Sequence, residues 1–188
     1  MSGYEYNDHL LMASEIHLAA GDLAGASRYA DRLARLACYR DQDHLALARR
    51  IKVDALAGDL EAVEVAGDRF LASWQRAGRP VAMNLNATTY ALAITHGLLG
   101  HDDRWSQWRD ITASLILDPA DLADCTTGWA PTFDALVALE RGRPGEAAAR
   151  LSADIDDPAI WTRFGAALWR PWYAAAWAEA AVLADHRQ

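Results

Sequence analysis

Six histidines, eight tryptophans and two cysteines are the side chains here with the widest range of chemistry. The histidines fall at 9, 17, 44, 96, 101 and 186. His9 and His17 are eight residues apart and share one face of a helix, but a metal site needs a third donor in register, and no carboxylate or imidazole follows at a suitable spacing. The expectation is scattered surface or half-buried histidine, with no metal and no other cofactor. Cys38 and Cys125 are far apart and lack a CxxC partner, as expected of two buried thiols in a reducing compartment. Asp118, Asp121 and Asp124 are spaced by three, a pattern that could hold a metal along a helix, but Pro119 sets them at a helix start as caps and solvated acids. Asp102-Asp103 and Asp156-Asp157 also fall at helix starts, where the helix dipole favours acids. There is no phosphate-binding glycine loop, no GxSxG and no HExxH, so no motif argues for an enzyme.

Two groups of residues suit binding instead. The stretch Asn84, Asn86, Thr88, Thr89, Tyr90, Thr95 and His96 is polar but uncharged, as the wall of a ligand groove would be, and its candidate contacts are Asn84, Thr88 and His96. Asparagine and threonine are poor helix formers, so their concentration there asks for a reason. Seven of the eight tryptophans lie at or beyond 105 (Trp105, Trp108, Trp129, Trp161, Trp169, Trp172, Trp177), and Trp74 is the exception. They could line an aromatic groove, or fill gaps between alanine-rich helices, each ring burying roughly 150–250 Å². Pro171 is expected to kink its helix and expose its neighbours, which adds Arg170, Trp172 and Tyr173, with Trp129, to the binding candidates.

These residues must be positioned by helices. Alanine and leucine dominate an apolar fraction of 52%, while the β-branched and aromatic residues suited to a sheet are sparse. Helices are expected at about 7–20, 22–38, 43–57, 59–77, 80–99, 102–117, 129–141, 144–153 and 158–184, with an irregular insertion over 118–130 and prolines 80, 119, 131 and 158 in first turns. The segments repeat. Leu-Ala-Ala-Gly-Asp-Leu at 18–23 returns as Leu-Ala-Gly-Asp-Leu at 56–60, and looser copies surround Gly100 and Gly142. Glycines 21, 58, 100 and 142 are thus spaced by 37, 42 and 42 residues. Each ends one helix by entering the left-handed region, and Asp22 and Asp59 can cap the next. Leu23, Ala26, Ala30, Leu33 and Ala37 form an apolar stripe that recurs 37 residues later as Leu60, Val63, Gly67, Phe70 and Trp74. Alanine and Gly67 within the stripe admit a closely packed neighbour. Helices joined by so short a turn pack antiparallel, and nothing divides residues 1–188 into two domains.

Gly21, Asp22, Leu23, Ala26, Tyr29 and Ala30, then Gly58, Asp59, Leu60 and Ala66, and more weakly Gly142, Glu146 and Ala147, resemble the second half of a tetratricopeptide repeat. Val63 stands where a small residue is usual, the units exceed 34 residues, and no proline closes each unit. The long units and the C-terminal run Trp169-Arg170-Pro171-Trp172-Tyr173 with Trp177-Ala178-Glu179-Ala180-Ala181 resemble the superhelical C-terminal regions of actinobacterial signalling ATPases and of LuxR-type and maltose-activator-type transcriptional regulators. The resemblance implies an all-α fold, a right-handed superhelix of antiparallel helix pairs with about four and a half repeats, contacts between neighbours only, and a groove lined by the first helix of each pair. It implies a non-catalytic sensor or docking module that takes a protein segment or a small inducer in that groove. The alternative is a self-assembly element, a homodimer through the solenoid end left bare after the last first-type helix.

The formal charge of −8, spread along the chain, repels phosphate backbones and argues against direct nucleic-acid binding. No run of about 18 apolar residues and no signal pattern is present, so a soluble, cytoplasmic protein without membrane contact is expected.

Overall fold

The computed structural model describes residues 3–36, 43–81, 85–116, 129–151 and 164–185. Among them are nine helices and no strand: α1 (Gly3–Ala19), α2 (Leu23–Ala34), α3 (Asp43–Ala57), α4 (Leu60–Arg76), α5 (Asn86–Leu98), α6 (Asp102–Leu115), α7 (Trp129–Glu140), α8 (Pro144–Arg150) and α9 (Phe164–Asp185). None is long and apolar enough to cross a membrane. The expected caps at Asp118 and Asp157, the insertion over 118–130, Cys38 and Cys125 lie mostly or wholly outside the described residues.

The repeated glycines make one corner four times. Gly21, Gly58, Gly100 and Gly142 have φ between 69° and 76°. At each, the following amide reaches back five residues: Asp22 to the His17 carbonyl (2.9 Å), Asp59 to Asp54 (2.9 Å), His101 to His96 (2.8 Å) and Arg143 to Ala138 (2.8 Å). This left-handed C-terminal motif satisfies carbonyls that a helix end leaves open. Asp22 and Asp59 then cap the next helix, accepting from the amides of Gly25 (2.8 Å) and Ala62 (3.2 Å). Each corner folds its two helices together, so α1 packs on α2, α3 on α4, α5 on α6 and α7 on α8.

The repeated stripe faces the core as its spacing requires. Ala26, Ala30 and Leu33 are buried on α2, as are Val63, Gly67, Phe70 and Trp74 on α4. A Cβ on Gly67 would meet Leu92 Cδ2 at 2.5 Å, so glycine is what lets α4 approach α5 there. A second core joins α7, α8 and α9 through Ala135, Ala138, Ala147, Leu151, Tyr173, Ala176 and Ala180, where small side chains bring the helices close.

Three features depart from the sequence reading. First, α5 starts at Asn86, not at Pro80; Gly78 and Arg79 both take positive φ after α4, and Pro80 follows in irregular chain whose carbonyl accepts the Trp74 indole N–H (2.9 Å). Second, α9 is continuous through Pro171, which lies on its exposed side, but Trp172 is half-buried and Tyr173 buried where exposure is expected. Third, contacts are not confined to neighbours: α9 returns to α1, where the Trp172 indole N–H donates to the Leu18 carbonyl at 3.0 Å.

Candidate functional site

The inner helix α5 touches α3, α4, α6 and α7, and every residue from Thr88 to Gly97 is buried. Its threonines serve that packing. Thr88 Oγ1 donates to the Ala48 carbonyl on α3 (2.9 Å), Thr89 to Asn86 (3.0 Å) and Thr95 to Ala91 (3.0 Å). Thr112 on α6 shares its hydroxyl proton between the Trp108 carbonyl (2.9 Å) and Thr89 Oγ1 (2.8 Å). The polarity read as a groove lining is therefore internal: a helix surrounded by others pairs most of the polar groups it carries, the threonine hydroxyls here, while Asn86 Oδ1 is buried with no partner among the described residues. Thr88 is a core residue here.

The remaining candidates separate. Asn84 and the Trp129 side chain lie outside what is described. Tyr173 is buried in the second core, and Trp172 is half-buried against α1, because the unbroken helix at Pro171 keeps both facing their neighbours instead of exposing them. Arg170 is exposed. Trp74 and Trp108 are core, Trp105 lies half-buried under the Arg141 guanidinium (4.8 Å to the ring centroid), and Trp177 is exposed.

Only His96 among the predicted residues stands in a cluster with chemistry of its own. It is buried at the end of α5, not on the surface, and the Gly100 corner swings His101 back beside it, Nδ1 to Nδ1 at 3.5 Å. His101 occupies the N-cap position of α6 but makes no side-chain cap bond. Its ring faces Glu64 on α4 instead, with Nδ1 3.3 Å from Glu64 Oε1, while His96 Nδ1 is 3.5 Å from that same oxygen. Three ligand-type atoms from three elements thus converge. Burial, reinforced by Arg104, lowers the His96 pKa and keeps its ring in the neutral form that accepts. Arg104 is itself paired with Asp68, one turn beyond Glu64.

A second ionic cluster is buried between α1 and α3. Glu15 Oε1 accepts from Arg49 (3.0 Å) and from Lys52, the only lysine in the chain, which is 4% exposed. Burial would raise the Glu15 pKa, but the two cations outweigh it and hold the carboxyl below its ordinary range. Burial pushes Lys52 down, against the pull of Glu15. Among the described residues, one carboxylate faces two cations in a poorly solvated place.

The third feature is apolar. Eight large apolar side chains are exposed among the described residues, and five of them, Met12 and Ile16 on α1 with Trp177, Val182 and Leu183 on α9, belong to the two helices that meet at Trp172, each between 36% and 57% exposed. The middle hairpins contribute only Val65 and Leu99. A groove of about 410 Å³ lies between α4 and α6, walled by Leu71, Trp74, Ile111 and Leu115 with the polar Gln75 and Asp110.

The sequence reading missed Glu64, His101 and Lys52 as notable residues. The signal for His101 was its place after the third corner glycine, five residues from His96, equivalent to Asp22 and Asp59. Glu64 carried no local signal, because it reaches the site from the preceding hairpin. No family model, no curated protein and no solved structure matches this chain.

Proposed function

We propose that the chain is a non-catalytic binding module, a short superhelix of four and a half tetratricopeptide-like repeats that docks a protein segment on the face formed by α1 and α9. The observation that carries this reading is that five of the eight exposed large apolar side chains among the described residues lie on those two helices, apolar surface left to water of the kind found at recognition sites. Trp177 is the natural anchor, an exposed ring able to fill a partner's pocket. Burial all along α5 argues for a protein segment on this outer face over a small inducer between the inner helices. Resemblance to the superhelical parts of signalling ATPases and transcriptional regulators supports a place within a cytoplasmic regulator, and the charge of −8 supports a protein over a nucleic acid as partner.

The test is a peptide selection on the intact chain, counter-screened with Ile16→Glu/Trp177→Glu. Apolar helical peptides are expected to be enriched and to bind the double variant at least about tenfold more weakly. Peptides that bind both chains equally would contradict the proposed face. The same face supports a second reading, pairing of two copies. Molar mass by light scattering separates them: a concentration-dependent dimer abolished by Trp177→Glu would make self-assembly the function.

A further inference from the structure

We infer that Glu64, His96 and His101 form a binding site for a divalent transition-metal ion, zinc in the first instance, which clamps the second hairpin to the third. The geometry of the three donors carries this. Glu64 Oε1, His96 Nδ1 and His101 Nδ1 are separated by 3.3, 3.5 and 3.5 Å. Zinc bonds of about 2.0–2.1 Å set neighbouring tetrahedral ligands roughly 3.3–3.4 Å apart. The triangle therefore has the size of one face of a zinc coordination shell before any side chain moves. An ion bound to all three would sit close to their plane, with its far side open to water or a further ligand.

The donor set fixes the class of ion. Two imidazoles and one carboxylate suit zinc, cobalt, nickel or copper, whereas magnesium and calcium take oxygen ligands almost exclusively. Burial of His96 fixes one donor, and the Gly100 corner fixes the second relative to it through the backbone bond from the His101 amide to the His96 carbonyl. Only Glu64 comes from another hairpin, so an ion here closes a link between α4 and the α5–α6 corner. Asp68, one turn along α4, is held by Arg104.

Convergence of two ring nitrogens on one oxygen is also what distinguishes this corner from a plain ion pair. At the first corner His17 Nδ1 has Asp22 to itself at 2.7 Å, and that carboxylate's other oxygen caps Gly25. At the third corner two imidazole nitrogens approach each other as closely as they approach the acid. With both rings neutral and protonated on Nε2, the two Nδ1 lone pairs and the Glu64 oxygen face one point, and a cation satisfies all three at once.

The test uses the full, tag-free chain, stripped with a chelator and titrated with Co²⁺ and then Zn²⁺. One equivalent of Co²⁺ is expected to give the visible ligand-field bands of a four- or five-coordinate ion, displaced by Zn²⁺. At a hundredfold excess over the dissociation constant, zinc should raise Tm by about 5–10 °C. His101→Ala, at an exposed position, and Glu64→Gln, at a half-exposed one, should keep the metal-free circular dichroism and Tm of the parent yet lose more than about tenfold in affinity. Absence of ligand-field bands and of any Tm shift in the parent chain would overturn the inference. So would unweakened binding in both variants, which would place the ion on other residues. Neither result bears on docking at α1 and α9, so the two proposals fail independently.

Discussion

The corner at Gly21 and the corner at Gly100 have the same backbone and opposite chemistry. Both glycines sit near φ 75°, and both send the following amide back to the carbonyl five residues earlier. At the first corner this pairs His17 with Asp22, a self-contained couple that also caps α2. At the third the same two positions hold His96 and His101, which look outward to Glu64 of the hairpin before. The repeat thus supplies a position five residues wide, and the residues placed in it decide whether the corner is a cap or a ligand site. The second and fourth corners extend the series, with Asp54 and Asp59 in one and Ala138 and Arg143 in the other.

The largest expected effect lies in the buried cluster beneath the first two hairpins. Glu15→Ala leaves Arg49 and Lys52 without their shared carboxylate and should cost about 3–5 kcal/mol in denaturant unfolding. Lys52→Met removes one of the two cations and leaves a one-to-one pair, so it should be neutral or stabilising. Equal losses from both variants would show that the lysine is needed where it is.

The next effect separates backbone from side chains at the two corners. Gly21→Ala and Gly100→Ala each force a Cβ into the left-handed region, costing roughly 1–2 kcal/mol, and neither new methyl meets a neighbour. Stability should fall alike in both, but only Gly100→Ala should also weaken zinc. The converse exchange, Asp22→His, builds a histidine pair at the first corner, where among the described residues no third donor converges as Glu64 does at the third. It should create no second zinc equivalent; a second equivalent would mean that the corner alone makes the site. A smaller loss, about 0.5–2 kcal/mol in thermal unfolding, is expected of Asp59→Ala through the α4 cap.

Acid should act in two steps. Burial lowers the pKa of His44, which lies against Ser73, below its ordinary 6.5. Protonation therefore favours the unfolded chain, and stability present above pH 6.5 should decline as pH falls through that value. The Glu15 carboxyl, held below 4.5 by its two cations, adds stability that is complete above pH 4.5 and lost below it. A profile of Tm against pH should show both declines, the first smaller in His44→Gln.

The features legible in the sequence were those made locally. Glycine in the left-handed region, an aspartate cap one residue on and an apolar stripe of period three and four each lie within one helix and its turn, so Gly21-Asp22 and Gly58-Asp59 announced their corners. What depended on register between hairpins was not legible. The threonines of α5 read as a groove because nothing in the sequence says that four helices surround them. Lys52 sits on a helix buried around most of its circumference, which erases the amphipathic pattern that marks an exposed lysine. Glu64 precedes His96 by 32 residues on another hairpin, and only the packing of α4 against α5 brings them together.

The corner comparison is tested most directly by anomalous scattering at the zinc edge from crystals of the intact chain grown with one equivalent of Zn²⁺. A single peak is expected about 2.0–2.2 Å from His96 Nδ1, His101 Nδ1 and Glu64 Oε1, with nothing beside His17 and Asp22. A peak at the first corner, or none at the third, would contradict the claim that side chains on a shared backbone corner make one of them a ligand site.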